Sequence, residues 1–424
     1  VHIPDGYLSP STCAVLYGAA APFWYVAVNR LQKALTTRLV PLISVMAAFS
    51  FVIMMFNLPL PGGTTGHATG MALAAVVLGP WGAIIAVSIA LILQALLFGD
   101  GGILAIGANC FNMAVVGSLV AYGIYRAVGG RSSLTAPRRI FAAALAGYVS
   151  INVAAFLTAV EFGIQPLLFT DQNGVPLYSF YPLSVAIPAM MIGHVTFAGF
   201  AEAIVTGGVV AYLQRADPSL LRLTAPKEVA QDGATPARSG SWKPLAIGLL
   251  VLVLLSPLGL LASGTAWGEW GADEVGAEQI GFHLRELGEP QRAALSGELT
   301  RLGGTTTDAD TARDLRAAGE LLVSGDQAGA TEALDPRLET LRGADPAQYP
   351  QVAALAASVR EPTGLQQWSA LWSAPIPDYA PGFLKNPIVG YIISAVFGVA
   401  VVAGVTTLIG RLVARRRTAA GSES

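Results

Sequence analysis

Nine predominantly apolar stretches leave this chain few architectures to fold into. They lie near 11–29, 38–57, 67–79, 82–98, 105–127, 138–163, 183–213, 244–262 and 387–411. About 20 apolar residues in a helix span the roughly 30 Å hydrocarbon layer of a bilayer, and helical backbone satisfies its own hydrogen bonds in lipid. The third and fourth stretches are short and meet at Gly79-Pro80-Trp81, a tight break. The prediction is an all-α polytopic membrane protein. With 12% charged residues and a mean hydropathy of +0.57, the chain lies far from ordinary globular composition, where about a quarter of residues are charged. Cys13 and Cys110 both fall in apolar stretches, so they read as small packed side chains rather than as a disulfide or a thiolate site.

Charge in the loops sets the expected orientation. Arg30, Lys33 and Arg38 follow the first stretch, Arg126, Arg131, Arg138 and Arg139 the fifth, Arg215 to Lys243 the seventh, and Arg411 to Arg417 the ninth. With nine crossings all four clusters fall on one face, and the alternate loops FNLPLPGGTTGH, LFGDGGIL and GIQPLLFTDQNGVPLYSFYP contain no lysine or arginine. The positive-inside rule then puts the amino terminus outside and the carboxyl terminus in the cytoplasm. Residues 214–243 are polar and rich in small residues and read as a cytoplasmic linker. They separate a seven-helix core, 1–213, from two further membrane helices, 244–262 and 387–411, with a basic tail at 412–424. The insert 263–386 holds 18 acidic against 9 basic residues. Helical periodicity in EQIGFHLRELGEPQRAALSGEL, DTARDLRAAGELLV and PAQYPQVAALAASV makes it a small external helical domain with an acidic, solvated face.

Only His2, His67, His194 and His283 can supply imidazole, and the topology places His2 and His67 together at the external end of the core. A terminal amine, the deprotonated amide nitrogen of residue two and that residue's imidazole form linked chelate rings; a second histidine completes four nitrogens. Such a plane suits nickel(II) or copper(II), and cobalt(II) less strictly, whereas zinc prefers a tetrahedron. Amide deprotonation makes binding pH-dependent. Pro4, Asp5 and Gly6 carry a turn signature, and Ser9-Pro10-Ser11 reads as a helix start with proline in its first turn. The first residues can therefore hook back into the core from outside. Glycines flank His67 and permit irregular backbone there. Gln94, Asn109, Asn112, Asn152, His194 and Glu202 stand in apolar stretches and are expected to face the bundle interior, as interhelical hydrogen bonds or functional groups. His194 and Glu202 share a helix face about 12 Å apart and do not form a pair. His283 reads as an exposed residue of the external domain.

Neither GxxxxGK[ST] nor HExxH occurs, so a powered process needs a motor on another chain. A metal-activated intramembrane enzyme would need an open coordination position and a base; Glu202 is the sole core candidate, and nothing in the sequence places it near His67. A passive channel would need a continuous polar path, which these helices lack.

At VHIPDGYLSP, PLPGGTTGHATG, LLFGDGGILAIGANCFNMAVVG and GHVTFAGFAEAIVTGGVV, residues 1–213 resemble the CbiM/NikM family, the substrate-capture components of energy-coupling factor transporters for cobalt and nickel. The resemblance implies an amino-terminal segment inserted into a seven-helix core. It also implies Ni2+ or Co2+ held as transported substrate by the amine of Val1, the backbone nitrogen and imidazole of His2, and His67, without an organic cofactor. The family has methionine where Val1 stands; the amine serves with either side chain, and initiation at a valine codon would insert methionine. The two-helix appendage more loosely resembles the CbiN/NikN-like or PDGLE-containing partner, although PDGLE itself is absent. The implied partners are a CbiQ/NikQ-like membrane coupling protein, CbiO/NikO-like ATPases and the lipid bilayer of a prokaryotic cell, and not nucleic acid.

Overall fold

A computed structural model describes residues 2–34, 39–60, 64–170, 176–179, 181–226, 229, 243–261, 289–306, 308–326, 329–330, 333–334, 363–369 and 371–420. Among them six helices are long and apolar enough to cross a membrane: α1 (Pro10–Gln32), α3 (Met71–Phe98), α4 (Ile106–Gly129), α5 (Pro137–Leu168), α6 (Leu183–Ala216) and a last one at Pro387–Gly410. Shorter apolar helices lie at α2 (Leu39–Met54) and Ala246–Leu261. Apart from a small hairpin pairing Leu58–Leu60 with Thr64–Gly66, these make an all-α, multi-pass membrane protein.

The third and fourth apolar stretches form one run of helix broken at Gly79, whose backbone (φ +76°, ψ 170°) lies outside the helical region and outside what a side-chain-bearing residue readily adopts. Pro80 follows and cannot donate to the preceding turn. The chain reverses here. Thr224 Oγ1 reaches the Val76 carbonyl at 2.6 Å, and the Arg30 guanidinium lies 5.0 Å over the Trp81 ring. His67 and Asp100, which flank α3, both sit against His2; a straight 28-residue helix would hold them about 42 Å apart.

The first arm of α3 also starts later than its apolar pattern suggests, at Met71 rather than residue 67. Gly70 is the reason: its φ of +71° ends the helix, and a Cβ there would stand 2.8 Å from the Phe49 ring. Residues 71–78 therefore cover only about 12 Å, and irregular backbone over 67–70 continues that arm. Backbone of this kind survives at membrane depth only when protein groups satisfy it.

The two ends of the bundle differ in chemistry. At the Gly79 end Arg126 donates to the Thr224 carbonyl, and Gln214 donates to the carbonyls of Leu134 and Ala136. Fully buried Arg139 serves the carbonyls of Gly130, Ser132 and Ser133 and the Tyr125 hydroxyl. The last helix packs along α2, Gly398 against the Phe51 ring and Gly410 against Val40. Arg30, Arg126 and Arg139, in the last turns of α1 and α4 and the first turn of α5, thus gather at one end; the amino-terminal segment lies at the other.

Of the acidic insert, helices Glu289–Thr305 and Ala309–Ser324 pack on each other around Leu299, Leu302, Leu315 and Leu322. Asp308 caps the second, accepting from the Thr311 amide at 2.9 Å. The helical readings at 346–359 and around His283 lie outside the described residues.

Candidate metal-capture site

The amino-terminal segment is pinned at nearly every residue. Ser9 caps α1 through its hydroxyl, 3.1 Å from the Thr12 amide, and its own amide donates to Gln165 Oε1 at 3.0 Å. Asp5 holds the turn: its carboxylate accepts from the amides of Ile103 and Leu104 at 2.9 and 2.8 Å. Burial pushes the Asp5 carboxyl above its ordinary range, and those amides oppose the shift. Ile3, fully buried, is bracketed by Asn109: the Ile3 amide donates to Oδ1 at 2.8 Å, and Nδ2 donates to the Ile3 carbonyl at 3.1 Å. The Gly102 amide donates to the same carbonyl, and the Ser179 amide to that of Tyr7.

Removing the Asn109 amide deprives the buried Ile3 amide of its acceptor, which costs about 1–3 kcal/mol. Asn109→Ala should therefore loosen the segment, seen as faster amide hydrogen exchange at Ile3 and Asp5 with α5 unaffected. Equal exchange in variant and parent would mean that Asn109 does not hold it.

This pinning delivers His2, 2% exposed, against His67, 4% exposed; their ring centroids are 5.1 Å apart and tilted by 30°. His67 Nδ1 lies 3.2 Å from the Ala68 carbonyl. A carbonyl only accepts, so this contact is a hydrogen bond when Nδ1 carries the hydrogen, the tautomer whose Nε2 can bind a metal. Two residues further on, Glu202 Oε2 accepts from the amides of Thr69 and Gly70 at 2.6 and 3.1 Å, and from the Thr69 hydroxyl at 3.3 Å. The carboxylate of α6 thus caps the half-length arm of α3. Nothing in the sequence places Glu202 near His67; the fold does, because α6 passes the point where irregular backbone enters the core.

On the other side of His2 stands Asp100. Its Oδ1 is 3.0 Å from His2 Nδ1, and its Oδ2 accepts from the Tyr379 hydroxyl at 2.5 Å and from Gln94 Nε2 at 3.2 Å. Burial alone would raise the Asp100 carboxyl, but the imidazoles of His2 and His67 and the Tyr379 hydroxyl outweigh it and hold the group below the usual carboxylate range.

His2, Asp5, His67, Gln94, Asn109 and Glu202 therefore share one neighbourhood. Asn112 instead donates to Glu161 Oε2 at 2.8 Å and Thr158 at 3.2 Å, tying α4 to α5. His194 Nδ1 lies 2.8 Å from the Met190 carbonyl one turn back, and Asn152 donates to the Tyr148 carbonyl. Val1 and His283 lie outside the described residues. Among the described residues, no three His, Cys, Asp or Glu side chains form a group able to hold a metal by themselves. Asp100, Glu161 and Tyr379 are the residues that sequence reasoning missed. Asp100 had a signal, as the lone acid in a glycine-rich loop without basic residues, and Glu161 had one as a carboxylate inside an apolar helix; Tyr379 had none.

Residues 2–220 match the family described as the cobalt uptake substrate-specific transmembrane region, CbiM. The chain is 45% identical over 419 residues to the fused nickel transport protein NikMN of Rhodobacter capsulatus, covering 98% of this chain and 99% of that one. It is 44% identical over 277 residues to the probable fused nickel transport protein LarMN of Lactiplantibacillus plantarum, covering 65% and 79% respectively. A solved truncated transition-metal transporter is 53% identical, with a TM-score of 0.48, over 51% of this chain and 99% of that one. A family match over half the chain and a relative spanning nearly all of it agree that the chain belongs to the CbiM family, as a transport protein and not an enzyme.

Proposed function

We propose that this chain captures Ni2+ or Co2+ as the substrate-binding component of an energy-coupling factor transporter. The observation that carries the reading is the meeting of two buried imidazoles, His2 and His67, from segments 65 positions apart, with ring centroids 5.1 Å from each other. Two imidazoles are too few for tight coordination, so the amine of Val1 and the amide nitrogen of His2 complete four nitrogens, a set that suits nickel(II) and cobalt(II) better than zinc. The names of the relatives, nickel transport proteins among them, support the same cargo.

The end carrying Arg30, Arg126 and Arg139 faces the cytoplasm and the site faces outward, by the positive-inside rule. Residues 1–213 act as the capture core, 214–243 as a linker, and the membrane helices at 244–262 and 387–411 with the intervening 263–386 as a fused accessory region. Metal enters from outside, sheds its water to the four nitrogens, and crosses when a CbiQ/NikQ-like coupling protein and CbiO/NikO-like ATPases reorient the core.

Metal analysis of purified protein tests the site. The parent retains close to one nickel or cobalt per chain after dialysis, whereas His2→Ala and His67→Ala retain almost none while keeping the parent's helical circular dichroism. Stoichiometric metal in either variant would remove that residue from the site. A nickel against cobalt competition on the parent assigns the preferred cargo.

A further inference from the structure

A strap from the far end of the chain lies over the amino-terminal segment. Its trailing part is anchored to the end of α3: the Trp372 indole donates to the Leu96 carbonyl at 3.1 Å, and the Ile376 amide to the Leu97 carbonyl at 3.0 Å. These are among the last carbonyls of a helix, which have no partner within it, so the anchor is seated on backbone groups. The leading part is a short helix, Thr363–Ser369. There the Gly364 amide donates to the Leu177 carbonyl at 2.7 Å, and two residues along the same loop the Ser179 amide donates to the Tyr7 carbonyl at 2.9 Å. The loop thus joins the strap to the amino-terminal segment.

The turn beneath it is shaped for a close neighbour. Gly6 has a φ of +89°, and a Cβ there would stand 2.7 Å from the Leu365 carbonyl oxygen and 2.9 Å from the Leu365 Cα. Glycine alone suits both the conformation and the approach. Leu365 is in turn 1% exposed. Gly364 is as tightly placed, since a Cβ there would collide with the Leu177 carbonyl oxygen. Four positions before Gly6 stands His2, buried against buried His67. An ion reaches these imidazoles only when something that covers the amino-terminal segment moves, and the strap is a cover that comes from outside the capture core.

We propose that residues 363–369 close the capture site: with Leu365 seated on Gly6 the amino-terminal segment cannot swing out, and the strap lifts about its anchor at 371–376 to let the ion exchange. The inference rests on the His2–His67 reading of the site. Leu365 meets the turn rather than the donor nitrogens, so the contact is the same in the loaded and the empty chain. A contact made equally in both states cancels from the affinity and remains in the rates. The fused region thereby sets how fast metal is captured and released.

The experiment uses the full chain and nickel(II), with association timed after mixing and dissociation timed in a chase with excess EDTA. Leu365→Ala removes the buried side chain, and Gly364→Ala drives a methyl group into the Leu177 carbonyl and pushes the strap off that loop. Losing a buried leucine side chain weakens closure by about tenfold or more, so association and dissociation should both quicken by about that factor. Equilibrium affinity should stay within about threefold of the parent, because the contact cancels from it. Leu365→Met, which fills a similar volume, should restore the parent's rates. Leu371→Ala, in the anchor but 47% exposed, should leave both rates unchanged. Parent-like rates in Leu365→Ala and Gly364→Ala overturn the inference. So does faster dissociation with unchanged association, which would make the strap a support for the bound ion rather than a closure. If the parent binds nickel and His67→Ala does not, such a result strikes the strap alone and leaves the site reading standing; if the parent binds none, both fall.

Discussion

A short peptide added ahead of Val1 should abolish nickel retention and leave the fold intact. Acylation turns the terminal amine into an amide, removing its lone pair and breaking the first chelate ring. The extension must also share space with a segment whose next residue, Ile3, is fully buried. We expect affinity to fall more than about a thousandfold, equivalent to ~4 kcal/mol. A tag removed by a protease that leaves nothing in front of Val1 checks this directly: titration before and after cleavage should show binding appear with cleavage, and intact mass confirms which residue carries the amine. Equal affinity before and after would remove the amine as a donor.

The second large effect is expected at Glu202, where alanine should cost both stability and metal. The carboxylate is the acceptor for the amides of Thr69 and Gly70 at the start of a half-length arm, and it stands at the positive end of that arm's dipole. Losing the acceptor for two buried amides costs about 3 kcal/mol, in a place where water cannot substitute. Glu202→Ala should lower the melting temperature in detergent and weaken nickel binding, because His67 lies two residues from the released backbone. Glu202→Gln, which keeps one acceptor oxygen, should recover most of the stability. A melting temperature and affinity unchanged in the alanine variant would show that Glu202 does not support the His67 segment.

Where a feature is local, the sequence announces it. Gly79-Pro80 announces the break in α3, and Ser9-Pro10 announces the start of α1, because turn and cap chemistry are written in adjacent residues. The amphipathic helix at Ala309–Ser324 is likewise legible in its own periodicity. His2 and His67 could be paired on paper because the loops without basic residues share one end. Asp100 and Glu202 could not be given their places, since each acts on a residue far along the chain: Glu202 on Thr69, Asp100 on His2. Tyr379 is the extreme case, 279 positions from its carboxylate partner. Within SAPIPDYAPGF nothing distinguishes it from an ordinary loop tyrosine. The start of α3 differs from its apolar pattern because Gly70 and the Glu202 cap override hydrophobic periodicity over residues 67–70.

The reversal at Gly79 decides the parity of the whole molecule. Taken as a rod, the 28 residues of α3 are one pass, and every later segment changes sides: the arginines after α4 and α6 would then face the opposite compartment from those after α1. Folded at Gly79 they count as two, and a sidedness reporter inserted just before His67 or just after Asp100 should then read the same compartment. One left-handed glycine sets the compartment of every loop that follows it.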